Sequence, residues 1–167
     1  YAGYLAGIGQ QKVRGWDEAG YTEHLMASIS DLAPEHQVDA WVGREAVRFL
    51  DSYEGDKPFA CMVAFPGPHD PYNPPQSYAD RFDPADMPEA RPRTKESDSF
   101  LAELIKSHLG GSSRVDLGNF PDATKRRVRQ HYSALINLID GQVAAILTAL
   151  ARRGDAEDTI VILAADH

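Results

Sequence analysis

Apolar residues recur every three or four positions in two stretches of the chain. Val38, Trp41, Val42, Ala46, Phe49, Leu50 and Tyr53 fall on one face of a helix at that spacing. Pro34 stands where a first helical turn tolerates it, and Gly55 closes the run. A longer stripe of Val128, Tyr132, Leu135, Ile139, Val143, Ile146 and Leu150 predicts a second helix. Asp122 can cap its start, Arg152 and Arg153 suit its carboxyl end, and Gly154 suits the position just past it. Two other stretches lack that period. Phe59-Ala60-Cys61-Met62-Val63-Ala64-Phe65 and Thr159-Ile160-Val161-Ile162-Leu163-Ala164-Ala165 are short runs without polar alternation. Such runs predict central strands covered on both faces.

Between these elements the pattern is weaker. Tyr1, Leu5 and Ile8 have the spacing of a short helix over residues 1–9, and Gln10 to Ala33 reads as an irregular connection. The prolines of Pro66-Gly67-Pro68-His69-Asp70-Pro71 fix φ repeatedly and remove backbone donors, which predicts a rigid extended loop. Proline-rich sequence continues to about Arg93, a helix is expected from Ser99 to His108, and Gly110 to Ser113 is a Gly/Ser-rich connection. Two buried strands flanked by amphipathic helices make an α/β fold class, a parallel sheet with helices on both sides.

Composition narrows this without redirecting it. With 167 residues, 43% of them hydrophobic and 25% charged, the chain fits one globular domain. A net charge of -8 speaks against nucleic acid as a partner, because phosphate binding wants a basic face. The basic run Lys125, Arg126, Arg127 and Arg129 is read as a solvated helix face. A single cysteine, Cys61, excludes an internal disulfide and is expected to be a small buried strand residue. No apolar run nears the length of a membrane span. Tyr1 and His167 do not look like natural ends, so the chain is expected to be an internal portion of one catalytic domain.

In open α/β sheets ligands gather at the carboxyl ends of the strands. His69 follows the first expected strand, and Asp166-His167 ends the second. A carboxylate beside an imidazole offers a hard oxygen and a neutral nitrogen to a divalent cation. The bland readings stand beside these: an Asp-His pair can be a loop pair or helix cap, and His69 can hold its loop by bonding a carbonyl. Trp41 reads as core and Trp16 as a loop anchor. His24, His36, His108 and His131 lack partners at ligand spacing and are read as structural or solvated.

The segment Lys57-Pro58-Phe59 through Pro66-Gly67-Pro68-His69-Asp70-Pro71-Tyr72-Asn73-Pro74-Pro75 resembles the strand and P-H-x-P loop of the sulfatase family, within the alkaline phosphatase superfamily. Tyr132 to Asp140, Gln142-Val143 and Asp158 to His167 are similar to its long helix and following strand, and Pro34-Glu35-His36 to Trp41 to an upstream segment. The resemblance implies an alkaline phosphatase/sulfatase-like sandwich with a mostly parallel central sheet. It matches Asp166 and His167 to metal ligands, with Ca2+ the usual ion in sulfatases and Mn2+ or Zn2+ in phosphonate and phosphodiester relatives. It matches His69 to the catalytic histidine that contacts the transferred group and protonates the leaving oxygen. Asp140 matches a frequent family aspartate whose role the residues do not reveal.

The activity so implied is hydrolysis of a small-molecule or carbohydrate sulfate ester in a longer parent protein. Cys61 is followed by Met62, Val63, Ala64 and Phe65 and so does not begin the family's nucleophile motif, C/S-x-P/A-x-R, and the nucleophile is expected outside this segment. The segment alone is therefore expected to be inactive. A phosphonate monoester or phosphodiester hydrolase shares these residues and is the alternative enzyme. A non-catalytic binding module is the third reading, opposed by the intact His69, Asp166 and His167.

Overall fold

A computed structural model describes residues 1–11, 24–55, 57–89, 94–96, 99, 100, 103 and 121–166. Apart from Ser99, Phe100 and Glu103, the helix expected from Ser99 to His108 lies outside them, as do Trp16 and the connection over 110–113.

Four helices have both ends among the described residues, α1 (Ala2–Gly7), α2 (Val38–Ser52), α3 (Gln76–Ala79) and α4 (Asp122–Arg153), and Lys95, Glu96, Ser99, Phe100 and Glu103 are helical as well. Two single 3-10 turns accompany them, Pro34–His36 before α2 and Pro84–Asp86 after α3. Pro34 opens its own turn, and extended Gln37 separates that turn from α2. Asp122 sits in the first turn of α4 and does not cap it, because Pro121 occupies the capping position. Gly154 ends α4 at φ 84°, a left-handed conformation that glycine adopts without steric cost.

α2 and α4 lie side by side and run in the same direction. Arg152 pairs with Asp51 at their carboxyl ends, where Arg153 also donates to the carbonyls of Leu50 and Tyr53. Near their middles, a Cβ at Gly43 would lie 2.6 Å from Gln142 Cβ, so glycine is what lets the helices approach this closely. Leu50, Ala149 and Leu150 are buried together, with Val47, Phe59 and Ile146 packed against them. The stripes that face inward are Asp39, Gly43, Ala46 and Leu50 on α2 and His131, Ala134, Leu135 and Leu138 on α4. Both are rotated from the purely apolar stripes, and each begins on a titratable residue.

The two apolar runs are extended, and no strand pairing occurs among the described residues. Their expected burial is corrected: Met62 is 91% exposed, Ile160 87% and Leu163 89%, and Cys61 is exposed rather than buried. A strand is covered when neighbours occupy both edges and layers occupy both faces. Here one helix layer touches one side of the first run, through half-buried Phe59, Val63 and Phe65.

By length and composition alone, α4 could cross a membrane, against the expectation that no segment could. Its apolar stripe is matched to α2, and Ser133, Asn137, Asp140, Gln142 and Thr148 interrupt the apolar window. That pattern belongs to a helix in a packed layer.

Candidate active site

The first run travels back along the helix layer. Phe59 starts it beside the carboxyl end of α2, with its ring 5.6 Å from Phe49 and 5.3 Å from Tyr53. Such edge-on aromatic pairs are each worth about 0.5–1.5 kcal/mol beyond area burial. Gly67 ends it at the opposite end of the helix, where its N–H donates to Asp39 Oδ1 at 3.0 Å. The proline loop begins there, and His69 is its third residue past Pro66.

His69 is exposed, and Nδ1–H donates to the Asp70 carbonyl at 2.8 Å. The Asp70 carboxylate stands 3.1 Å from the same nitrogen. With Nδ1 so engaged, Nε2 is the atom that takes up or releases a proton. The His69 pKa is raised above its ordinary value, first by the Asp70 carbonyl, then by the Asp70 carboxylate, and further by the charge of Asp166. Asp166 ends the second run, and its charge is the smallest of the four influences on His69.

Asp166 is exposed, and His167 lies outside the described residues. Among the described residues, no three His, Cys, Asp or Glu side chains stand close enough to hold a metal ion. The chemistry of Asp166 nonetheless suits a divalent cation, because a carboxylate is a hard oxygen donor. Even with His167 the pair falls short of the roughly four to eight ligands such ions take. This chain can supply part of a coordination shell.

Other candidates resolve into scaffold. Trp41 is half-buried with its ring 5.8 Å from Tyr1. Tyr4 OH and His36 Nδ1 are hydrogen-bonded at 2.8 Å, and Arg44 lies over the Tyr4 ring. Arg126 donates to the carbonyls of Ala85 and Met87, so the basic run is partly engaged as well as solvated. Asp140 is exposed in a shallow hollow with Phe82, Ser133, Ile136 and Asn137. His131 is not solvated. It is 2% exposed, and its Nδ1–H donates to the Tyr72 carbonyl at 2.8 Å.

The family model described as Sulfatase matches residues 4–167. An arylsulfatase of Clostridium perfringens is 29% identical over 127 residues, 76% of this chain and 25% of that protein. The iduronate 2-sulfatase of Mus musculus is 26% identical over 149 residues, 83% of this chain and 27% of that protein. The chain thus spans about a quarter of the length of the curated relatives it matches.

Proposed function

The chain belongs to the sulfatase family, and from that membership we propose that it supplies His69, Asp166 and His167 to the active site of a sulfuric ester hydrolase. The observation that carries this reading is the family match over residues 4–167, within which His69 and Asp166 each follow an apolar run. In this reading the substrate is a small-molecule or carbohydrate sulfate ester, the class to which the names of both relatives point.

His69 acts on the leaving group. As the S–O bond to the leaving oxygen breaks, Nε2–H donates its proton to that oxygen and the ring becomes neutral. A raised pKa suits this role, because more of the ring holds its proton near neutral pH. The Asp70 carbonyl holds Nδ1, which fixes the ring plane and keeps Nε2 the working atom. Asp166 and His167 would hold a divalent cation, calcium in this reading. When bound, such an ion offsets charge on the non-bridging oxygens of the transferred group. In this reading the nucleophile comes from outside residues 1–167: Cys61 does not begin a C/S-x-P/A-x-R motif, and the one match to that pattern, Ser77-Tyr78-Ala79-Asp80-Arg81, lies in and just past α3, after the His69 loop.

Turnover of p-nitrophenyl sulfate by the full-length protein is the test. General acid catalysis contributes about 10²–10⁴-fold, so His69→Ala is expected to lower kcat by that order. An unchanged kcat would remove His69 from the chemistry. Faster turnover of a phosphonate monoester than of the sulfate would move the assignment to the phosphonate hydrolases.

A further inference from the structure

We propose that Asp39 and His131 are positioning residues that grip the proline loop on either side of His69 and so fix where its imidazole meets the substrate. The proposal rests on the reading of His69 as the group that acts on the leaving oxygen.

Buried polar side chains are costly unless they are partnered, so where a protein places them is informative. Among the described residues, three polar side chains are buried: Gln37, Asp39 and His131. Asp39, on the first turn of α2, accepts the N–H of Gly67 two residues before His69. A Cβ on Gly67 would come within 2.6 Å of Asp39 Oδ2 and 3.1 Å of Ile139 Cδ1, so the carboxylate is seated directly on this backbone. His131, on α4, donates to the carbonyl of Tyr72 three residues after His69. Gln37 donates to Ser30 Oγ and to the Leu32 carbonyl, which fastens the strip of chain beside the loop.

That strip completes the grip. Tyr72 N–H donates to the Met26 carbonyl at 2.8 Å, and Ser30 N–H to the Pro74 carbonyl at 3.1 Å. Leu25 and Met26 have φ of 52° and 62°, a left-handed backbone that non-glycine residues hold only where surroundings over-determine it. The strained pair turns the Met26 carbonyl toward Tyr72. Every buried polar group described, and the one strained non-glycine turn described, therefore bears on residues 67–74 or the strip against them. A packing role alone would not concentrate them there. Holding a catalytic group to within an ångström matters, since misplacement on that scale costs on the order of a hundredfold in rate.

The test is a double-mutant cycle in the full-length protein, read as p-nitrophenyl sulfate turnover with bound metal measured alongside. If His69→Ala leaves kcat unchanged, the functional reading falls and this proposal with it. If His69→Ala lowers kcat, the cycle isolates the coupling. His131→Leu is then expected to lower kcat about tenfold when His69 is present, on the scale of lost orienting partners. In the His69→Ala background it is expected to cost less than about twofold, with KM and metal content unchanged in both. Equal losses in the two backgrounds overturn the proposal. Two polar variants keep the question open to refutation if His131→Leu does not fold. His131→Asn keeps a donor at the Nδ1 position and is expected within about threefold of the parent, whereas His131→Gln loses about tenfold. Matching losses in Asn and Gln variants contradict the grip. Asp39→Asn, which keeps an acceptor for Gly67, is expected to retain more kcat than Asp39→Ala, and the reverse order also contradicts it.

Discussion

Both apolar runs are extended, both follow one of two parallel helices, and both end at a residue of the candidate site, yet they differ in how they are held. The first run is fastened at each end. Phe59 lies among Phe49 and Tyr53 at its start, and the Gly67 N–H is bound by buried Asp39 at its finish. Beyond it, the loop that carries His69 is bonded to His131 and Met26. The second run is fastened at its start, where Thr159 Oγ1 donates to the Asp155 carbonyl at 2.7 Å. From Ile160 to Leu163 it is exposed. The contrast teaches that the His69 half of the site is built by contacts within this chain. The Asp166 half depends on strand neighbours and covering layers, which a sheet supplies and a helix pair does not.

A matched pair of substitutions in this chain would sharpen that contrast most. Gly67→Ala forces the Asp39 carboxylate off its seat and breaks its bond to the backbone, a loss of about 1–3 kcal/mol for a buried group left unpaired. Ile162→Ala sits in the open run and is expected to cost no more than about 0.5 kcal/mol, the usual range for surface changes. Urea midpoints of the two variants measure the difference. Similar midpoints would mean that the first run is no better held than the second.

A smaller effect follows from pH. Burial pulls the His131 pKa below its ordinary value, and the charge of Arg127 acts the same way, against the raising pull of the Tyr72 and Ser28 backbone bonds. The fold thus favours the neutral ring. Its contribution to stability is present above the unfolded pKa of about 6.5 and is lost as pH falls from there through the lower folded value. The urea midpoint should drop on acidification through this window, and His131→Asn should flatten the drop. An identical pH dependence in parent and variant would show that His131 is not the group being titrated.

Much of this arrangement was legible in the sequence because period survives without partners. The stripes on residues 38–53 and 128–150 predict α2 and α4, with Gly154 marking the end of α4. His69 and Asp166 stood out because each follows an apolar run. His131 lacks partners at ligand spacing and reads only as structural or solvated, and nothing in the pattern singles out Asp39. The buried stripe of α4 nevertheless runs His131, Ala134, Leu135, Leu138, the helical spacing with a histidine in its first place. That spacing was the available signal. The openness of the runs was not legible at all, since a run of apolar residues records the environment it suits and not whether strands stand beside it.

The central claim divides labour between the two runs: the end of the second holds the metal and the loop after the first acts on the leaving group. Metal content of the full-length protein, measured for Asp166→Ala and His69→Ala against the parent, tests it most directly. The account predicts that Asp166→Ala loses both bound metal and p-nitrophenyl sulfate turnover, while His69→Ala keeps its metal and loses turnover. Full metal and activity in Asp166→Ala, or loss of metal in His69→Ala alone, would contradict it.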